Sequence, residues 1–210
     1  MLQLGVLISG SGRTLQNFID LIARGKLDAR ITVVISSLAK VKGVERARAA
    51  GLPVEIIRVK DHPDVEEFSR RIVEALDHYA VDLACQAGWT AYWRIPERWM
   101  GRVMNIHPAL LPKYGGKGFY GHRVHEAVLA AGEKESGCTV HFANNEYDAG
   151  PIILQRKVPV LPGDTADSLA DRVFEQELLA YPEAIRLFAA GKVRMPEQAT
   201  KRWSNETMKG

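Results

Sequence analysis

The sequence predicts an α/β fold: a doubly wound, mostly parallel sheet with a C-terminal antiparallel extension and a long C-terminal helix. Three observations predict it. Short apolar runs alternate with stretches of helical period through residues 4–106, the β-α-β-α order of a parallel sheet covered on both faces. Further along, two strand-like runs at 138–142 and 152–160 are joined by the polar loop ANNEYDAG. A helical pattern then runs unbroken from Asp164 to Ala190.

Each element has its own signal. Residues 4–8 (LGVLI) are a buried-type strand run, broken at Gly10 and Gly12, after which Leu15, Phe18, Ile19, Leu21 and Ile22 recur at helical spacing. Residues 31–36 (ITVVIS) read as a second strand, 42–50 as a basic helix, Gly51-Leu52-Pro53 as a turn and 54–59 as a third strand. Residues 64–78 predict an amphipathic helix with Val65, Phe68, Ile72, Val73 and Leu76 on one face. Residues 81–85 and 103–106 supply the fourth and fifth strands, and 124–131 a further helix. At the long helix, Asp164 or Thr165 can cap the free amides, Asp167 makes the first turn acidic and Gly191 ends it. With no repeat, low-complexity segment or linker, one domain is expected over residues 1–195. A polar tail follows over 196–210, with Trp203 a candidate to dock.

Composition narrows the function classes. Apolar content of 46% and charged content of 25% are those of a globular protein. The 28 basic and 25 acidic residues leave a net charge of +3, and the basic residues form no run longer than a pair. That balance argues against nucleic acid; it suits a phosphorylated small molecule but is first of all a solvated surface. Cys85 and Cys138 each sit in a strand-like run, which predicts buried free thiols and a reducing compartment. The start MLQLGVLISGSG lacks a basic n-region, so no signal peptide is expected. No apolar run approaches the ~20 residues of a membrane helix. A cytoplasmic protein is the expectation.

The chemistry is concentrated in two segments. Asn105 and His107 lie two apart at the end of an apolar run, so in an extended chain they share a face. Pro108 disfavours helix at His107. Asp148 comes just before a Gly-Pro break and a new strand. A lone His before Pro is more often structural, and a lone Asp before Ala-Gly is more often a turn former. Together, Asn, His and Asp supply an oxyanion donor, a proton shuttle and a carboxylate that sets the shuttle's charge, the requirements of acyl transfer. Ser9-Gly10-Ser11-Gly12-Arg13-Thr14 joins a strand to a helix, where glycines allow close approach and helix-terminal amides can meet an anion. It matches neither the P-loop nor the dinucleotide fingerprint. His122, His125 and His141 raise the question of zinc, but neither HExxH nor CxxC is present and no metal is expected.

The stretch NIHPALLPKYGG (105–116), followed by SGCTVHFANNEYDAGPIILQRKVPV (136–160), resembles phosphoribosylglycinamide (GAR) formyltransferases, folate-dependent enzymes of purine synthesis. The likeness runs from about residue 4 to residue 193. It implies a Rossmann-like formyltransferase fold and transfer of a formyl group from 10-formyltetrahydrofolate, as co-substrate, to the primary amine of GAR. It implies Asn105 as oxyanion donor and His107 as proton shuttle. Asp148 would be the carboxylate that raises the His107 pKa and orders a water. By the same resemblance Gly10, Ser11, Gly12, Arg13 and Thr14 hold the GAR phosphate, and Glu177 contacts its ribose or amine. Gly88, Trp89, Tyr92 and Trp93 would line the pterin pocket, core packing being the other reading of the two tryptophans. The backbone of Asn144, Asn145 and Glu146 would meet the pterin edge.

The chain departs from the family pattern at three places. Arg13-Thr14 stand where the family usually has Ser-Asn, Ala91 stands in place of an arginine, and segment 114–122 is longer than the usual loop and reads as a mobile lid. Methionyl-tRNA formyltransferases, formyltetrahydrofolate deformylases and sugar-nucleotide formyltransferases share parts of the motif but usually carry further domains, so length disfavours them. Deformylation, or formylation of another amine, is the alternative activity; a non-catalytic nucleotide or folate binder is the alternative class. Expected partners are small molecules only, with the chain a monomer or homodimer.

Overall fold

A computed structural model describes residues 1–196. Its elements are β1 (Leu2–Ile8), α1 (Arg13–Ala23), β2 (Ala29–Ser36), α2 (Lys42–Ala49), β3 (Val54–Ile56), α3 (Val65–His78), β4 (Leu83–Gln86), β5 (Val103–His107), α4 (His122–Ala130), β6 (Glu135–Phe142), β7 (Ile152–Pro159) and α5 (Ala166–Ala189). The seven strands are ordered β3-β2-β1-β4-β5-β6-β7. This is the mostly parallel α/β sheet that the sequence predicts, with the long C-terminal helix. The chain divides into two compact units, Met1–Ile95 with Arg102–Met104, and Pro96–Gly101 with the described residues from Asn105 onward. The division falls inside β5. Sequence pattern alone has no signal for it, since no linker marks it.

In the first unit β1 pairs in parallel with both β2 and β4, and β2 with β3. The last five residues of β1 are all buried, the near-continuous apolar run of a strand covered on both faces. Phe18, Phe68, Ile72 and Leu76 are among its largest fully buried side chains. Asp64 caps α3 by accepting the Glu67 amide at 2.8 Å. Val65, expected on the buried face of α3, is 41% exposed, and Ser69 is buried instead. As the first helical residue, Val65 leans toward the helix N-terminus and off its end. Two strands are shorter than predicted. β3 stops at Ile56 because Val59–Asp61 forms a 3-10 turn. β4 begins at Leu83 because the Val81 amide closes the end of α3 on Leu76 O.

In the second unit β6 and β7 are antiparallel, with a register shift between Val140 and His141. Such a bulge re-aims the side chains beside it. Helix α5 packs on both strands, with Phe188 edge-on to Phe142. Thr165 is its cap: Thr165 Oγ1 accepts the Ser168 amide and Ser168 Oγ accepts the Thr165 amide, a reciprocal capping box. Asp164 holds the preceding turn by accepting the Leu161 amide and the Arg172 guanidinium. The polar tail predicted for 196–210, Trp203 included, lies outside the described residues apart from Pro196. Among the described residues no helix is long and apolar enough to cross a membrane.

Candidate active site

The first unit carries the glycine loop. Gly12 caps α1 in a left-handed conformation (φ 69°, ψ 28°) and offers the first amides of α1 no side-chain cap of its own. Gly10 is half-buried, Ser11 and Arg13 are exposed, and Gly12 and Thr14 are buried. The loop is pinned to its surroundings: Ser9 Oγ and Ser37 Oγ are 2.6 Å apart, and the Thr90 amide donates to Ser9 Oγ at 3.0 Å. Thr90 belongs to the segment that holds Gly88 (φ 74°), Trp89, Tyr92 and Trp93. Trp89 is half-buried and stacks on Phe68 at 6.2 Å, and Tyr92 is half-buried. Trp93 is only 3% exposed. It is a core side chain with no open ring face for a heterocycle, so core packing is the reading that holds for it. The indole N–H groups of Trp89 and Trp93 are buried without an acceptor among the described residues.

The second unit carries the polar cluster, which begins at the end of β5. Asn105 and His107 alternate with buried Met104 and Ile106. Asp148 adopts φ 54°, a left-handed turn that Asp tolerates better than most residues. The Asn105 amide donates to Asp148 Oδ1 at 3.3 Å, and Asp148 Oδ2 accepts the Gly116 amide at 2.9 Å. His107 Nδ1 lies 3.5 Å from Oδ2. On the other side of the ring, His107 Nε2–H donates to Tyr114 O at 2.7 Å, which assigns the proton of the neutral ring to Nε2.

Sequence reasoning missed His141 as a member of this cluster. Its Nδ1–H donates to Phe142 O at 2.9 Å, leaving Nε2 to accept the second Asn105 amide hydrogen at 3.1 Å. Its Nε2 also faces the carboxylate, 3.7 Å from Asp148 Oδ1. The bulge opposite His141, at Ile153 of β7, was not legible in the sequence. Tyr114 and Gly116 were also missed as cluster members, having been read only as the start of a lid. The loop closes tightly on the carboxylate: a Cβ at Gly115 would lie 3.2 Å from Asp148 Cβ. Thr139, two residues before His141, holds the Pro108–Pro112 turn, accepting the Leu111 amide and donating to Ala109 O.

The electrostatics correct one expectation. Burial pushes the His107 pKa down; the Asp148 charge and the Tyr114 carbonyl push it up but do not compensate, and His141 lowers it further. The net direction is down, so the ring is neutral at neutral pH rather than an imidazolium held by its carboxylate. Burial also opposes the charge on Asp148, but the His141 and His107 rings and the Gly116 amide outweigh it and hold the carboxyl below its ordinary range. The pair is thus a neutral base beside an ionised carboxylate. Both amide hydrogens of Asn105 and the Nε2–H of His107 are already engaged, so an incoming oxyanion must replace partners within the cluster.

The remaining candidates are placed as follows. Glu177 is half-buried on α5. Asn144 Oδ1 accepts the Glu146 amide at 3.0 Å, Asn144 and Asn145 are half-buried and Glu146 is exposed. His122 is exposed and pairs with Asp167, whereas His125 is 3% exposed, its Nδ1 without a partner among the described residues. Burial, with smaller effects from His122 and His107, lowers His125 to about 4. Cys85 and Cys138 are buried free thiols, as expected. Burial and the Glu177 charge push Cys138 up to about 12, which rules it out as a thiolate nucleophile near neutrality.

The family described as "Formyl transferase" matches residues 2–185. Phosphoribosylglycinamide formyltransferase of Escherichia coli (strain K12) is 39% identical over 92% of this chain and 90% of its own length. The trifunctional purine biosynthetic protein adenosine-3 of Bos taurus is 40% identical over 97% of this chain, which spans only 20% of that protein. Glycinamide ribonucleotide transformylase 1 from Symbiobacterium toebii superposes with a TM-score of 0.87 at 42% identity, covering 94% of this chain and 92% of that one.

Proposed function

The chain belongs to the formyl transferase family, and on that premise we propose that it transfers a formyl group from 10-formyltetrahydrofolate to the primary amine of GAR, giving formyl-GAR in purine biosynthesis. The observation that carries the reading is the clustering of Asn105, His107 and Asp148 in a chain of this family, with a neutral imidazole beside an ionised carboxylate.

In the proposed mechanism the neutral amine of GAR attacks the formyl carbon. The C–N bond forms, and the carbonyl π electrons move onto oxygen. Asn105 turns an amide hydrogen from Asp148 to that oxygen, and His107 Nε2–H turns to it from Tyr114 O. One such donor is worth about 3–4 kcal/mol in the transition state. The proton lost by the amine passes through a water on Asp148 Oδ2 to His107 Nδ1, where the carboxylate stabilises the imidazolium as it forms. Collapse of the intermediate breaks the bond to N10 of the folate, and that nitrogen takes the proton back by the same route. The Gly10–Thr14 loop binds the GAR phosphate and Glu177 its ribose or amine. Gly88, Trp89, Tyr92 and the Asn144–Glu146 backbone meet the folate. No metal takes part. The protein acts in the cytoplasm as a monomer or homodimer.

The test mixes protein with 10-formyltetrahydrofolate and follows deformylated folate by absorbance, with and without GAR. Release only with GAR, matched by formyl-GAR on mass spectrometry, is the expected result. Release without GAR makes the activity deformylation. No release with GAR, but release with another amine, transfers the mechanism to that acceptor.

A further inference from the structure

Helix α2 controls the orientation of two peptide planes in the glycine loop. The Gly43 amide donates to Gly10 O at 3.0 Å, and Arg46 Nε–H donates to Ser11 O at 3.1 Å. In a trans peptide the carbonyl and the following N–H point in opposite directions. Holding the Gly10 and Ser11 carbonyls toward α2 therefore aims the Ser11 and Gly12 amides away from it. Neither amide meets an acceptor among the described residues. Gly12 is left-handed, one of the conformations from which anion nests are built.

The contact is close and braced. A Cβ on Gly12 would lie 2.5 Å from Gly43 Cα, and one on Gly43 would lie 2.9 Å from Gly10 O, so the two backbones touch only because both residues are glycine. Arg46 is braced in turn: its Nη1–H donates to Gln16 Oε1 on α1 at 3.3 Å, and Gln16 Nε2–H donates to Asp20 Oδ1 at 2.9 Å. The half-buried guanidinium thus ties the loop to the helix that follows it, and places a permanent positive charge behind the nest.

We infer that Arg46 is a positioning residue for the phosphate of the acceptor substrate, acting through the Ser11 carbonyl to hold the Ser11 and Gly12 amides toward the anion. The inference rests on the phosphate site proposed above. Arg46 acts through the Ser11 carbonyl of the loop, so its removal acts on binding of the phosphorylated substrate and not on the chemical step.

The experiment compares wild type, Arg46→Met and Arg46→Lys in steady-state formylation of GAR and of the same glycinamide riboside without its phosphate. Calorimetric titration with ribose 5-phosphate runs alongside. R46M raises KM for GAR about tenfold, the loss of one charge-assisted hydrogen bond, with far less change in kcat and none in KM for the folate. R46K, which keeps the charge but not the guanidinium fork, falls between R46M and wild type. The riboside is turned over equally by all three, and ribose 5-phosphate binding weakens in the same order as GAR binding. An unchanged GAR KM in R46M, or an equal rise for GAR and the riboside, overturns the inference. If R46M does not fold, R46K with wild-type constants overturns it. If wild type does not formylate GAR but binds ribose 5-phosphate, and R46M weakens that binding, the activity reading fails while Arg46 keeps its role. Normal GAR turnover with all variants alike leaves the activity standing and removes Arg46.

Discussion

The Gly10–Thr14 loop and the Asn105–His107–Asp148 cluster offer their polar groups in different ways. The loop offers backbone amides at a helix N-terminus, held by carbonyl contacts from α2. The cluster offers side chains, two of them titratable, engaged with one another and with Tyr114 O and the Gly116 amide. Backbone donors carry no pKa in the working range, so the loop is insensitive to pH but intolerant of any added Cβ. Side-chain groups tolerate isosteric replacement of shape, and are sensitive to loss of charge. The two regions should therefore fail under different perturbations.

The sharpest separation comes from Asp148→Asn. Asn keeps the shape and tolerates φ 54°, but removes the charge that faces His107. A fall in kcat of about 10³-fold is expected, in the range of a lost acid–base partner, with KM for GAR little changed. Steady-state kinetics check it; turnover close to wild type would falsify a role for the carboxylate charge. Gly12→Ala probes the other region. It forces a left-handed alanine, and its Cβ would lie 2.5 Å from Gly43 Cα. A loss of about 2–3 kcal/mol on urea unfolding is expected, with a higher KM for GAR. If Gly12→Ala is as stable as wild type, the loop is not constrained by that contact.

A smaller effect sharpens the contrast in pH. Below pH 6.5 the unfolded chain protonates His125, whereas the folded chain keeps it neutral down to about 4. The unfolded state thus binds more protons, so stability is full above 6.5 and is lost as pH falls toward 4. The slope is at most about 1.4 kcal/mol per pH unit. His107, also lowered by burial, adds a loss of the same sign below 6.5. Asp148, held low, adds its own only below 3.8. His125→Leu should flatten the profile between 6.5 and 4, measured by urea midpoints across pH. An unchanged profile means that His125 is charged in the folded state.

Much of this was legible along the chain because it rests on local pattern. The buried runs of β1 and β2, the apolar face of α3, and the pairing of Asn105 with His107 across one strand face follow from periods of two and 3.6. Aromatic rings were harder to read: Trp93 reads equally as pocket wall or core, and only packing made it core. The sequence raises His141 as a metal ligand, yet its ring meets Asn105, beside a bulge at Ile153 of the paired strand β7. Segment 114–122 reads as a lid from its glycines; that Tyr114 O and the Gly116 amide complete the cluster is visible only in three dimensions.

By itself the sequence determined the fold class, the family resemblance and the identity of the three residues proposed for catalysis. These depend on side-chain type and spacing, which the chain carries directly. Only the tertiary structure decided the direction in which the His107 pKa moves. A carboxylate neighbour can be guessed from a motif, but the opposing effect is desolvation, and burial is the sum of everything packed around the ring. The support of the glycine loop by Gly43 and Arg46 was likewise beyond sequence reading. It depends on a helix some thirty residues further along the chain coming within about 3 Å of two carbonyls, and no local period records such an approach.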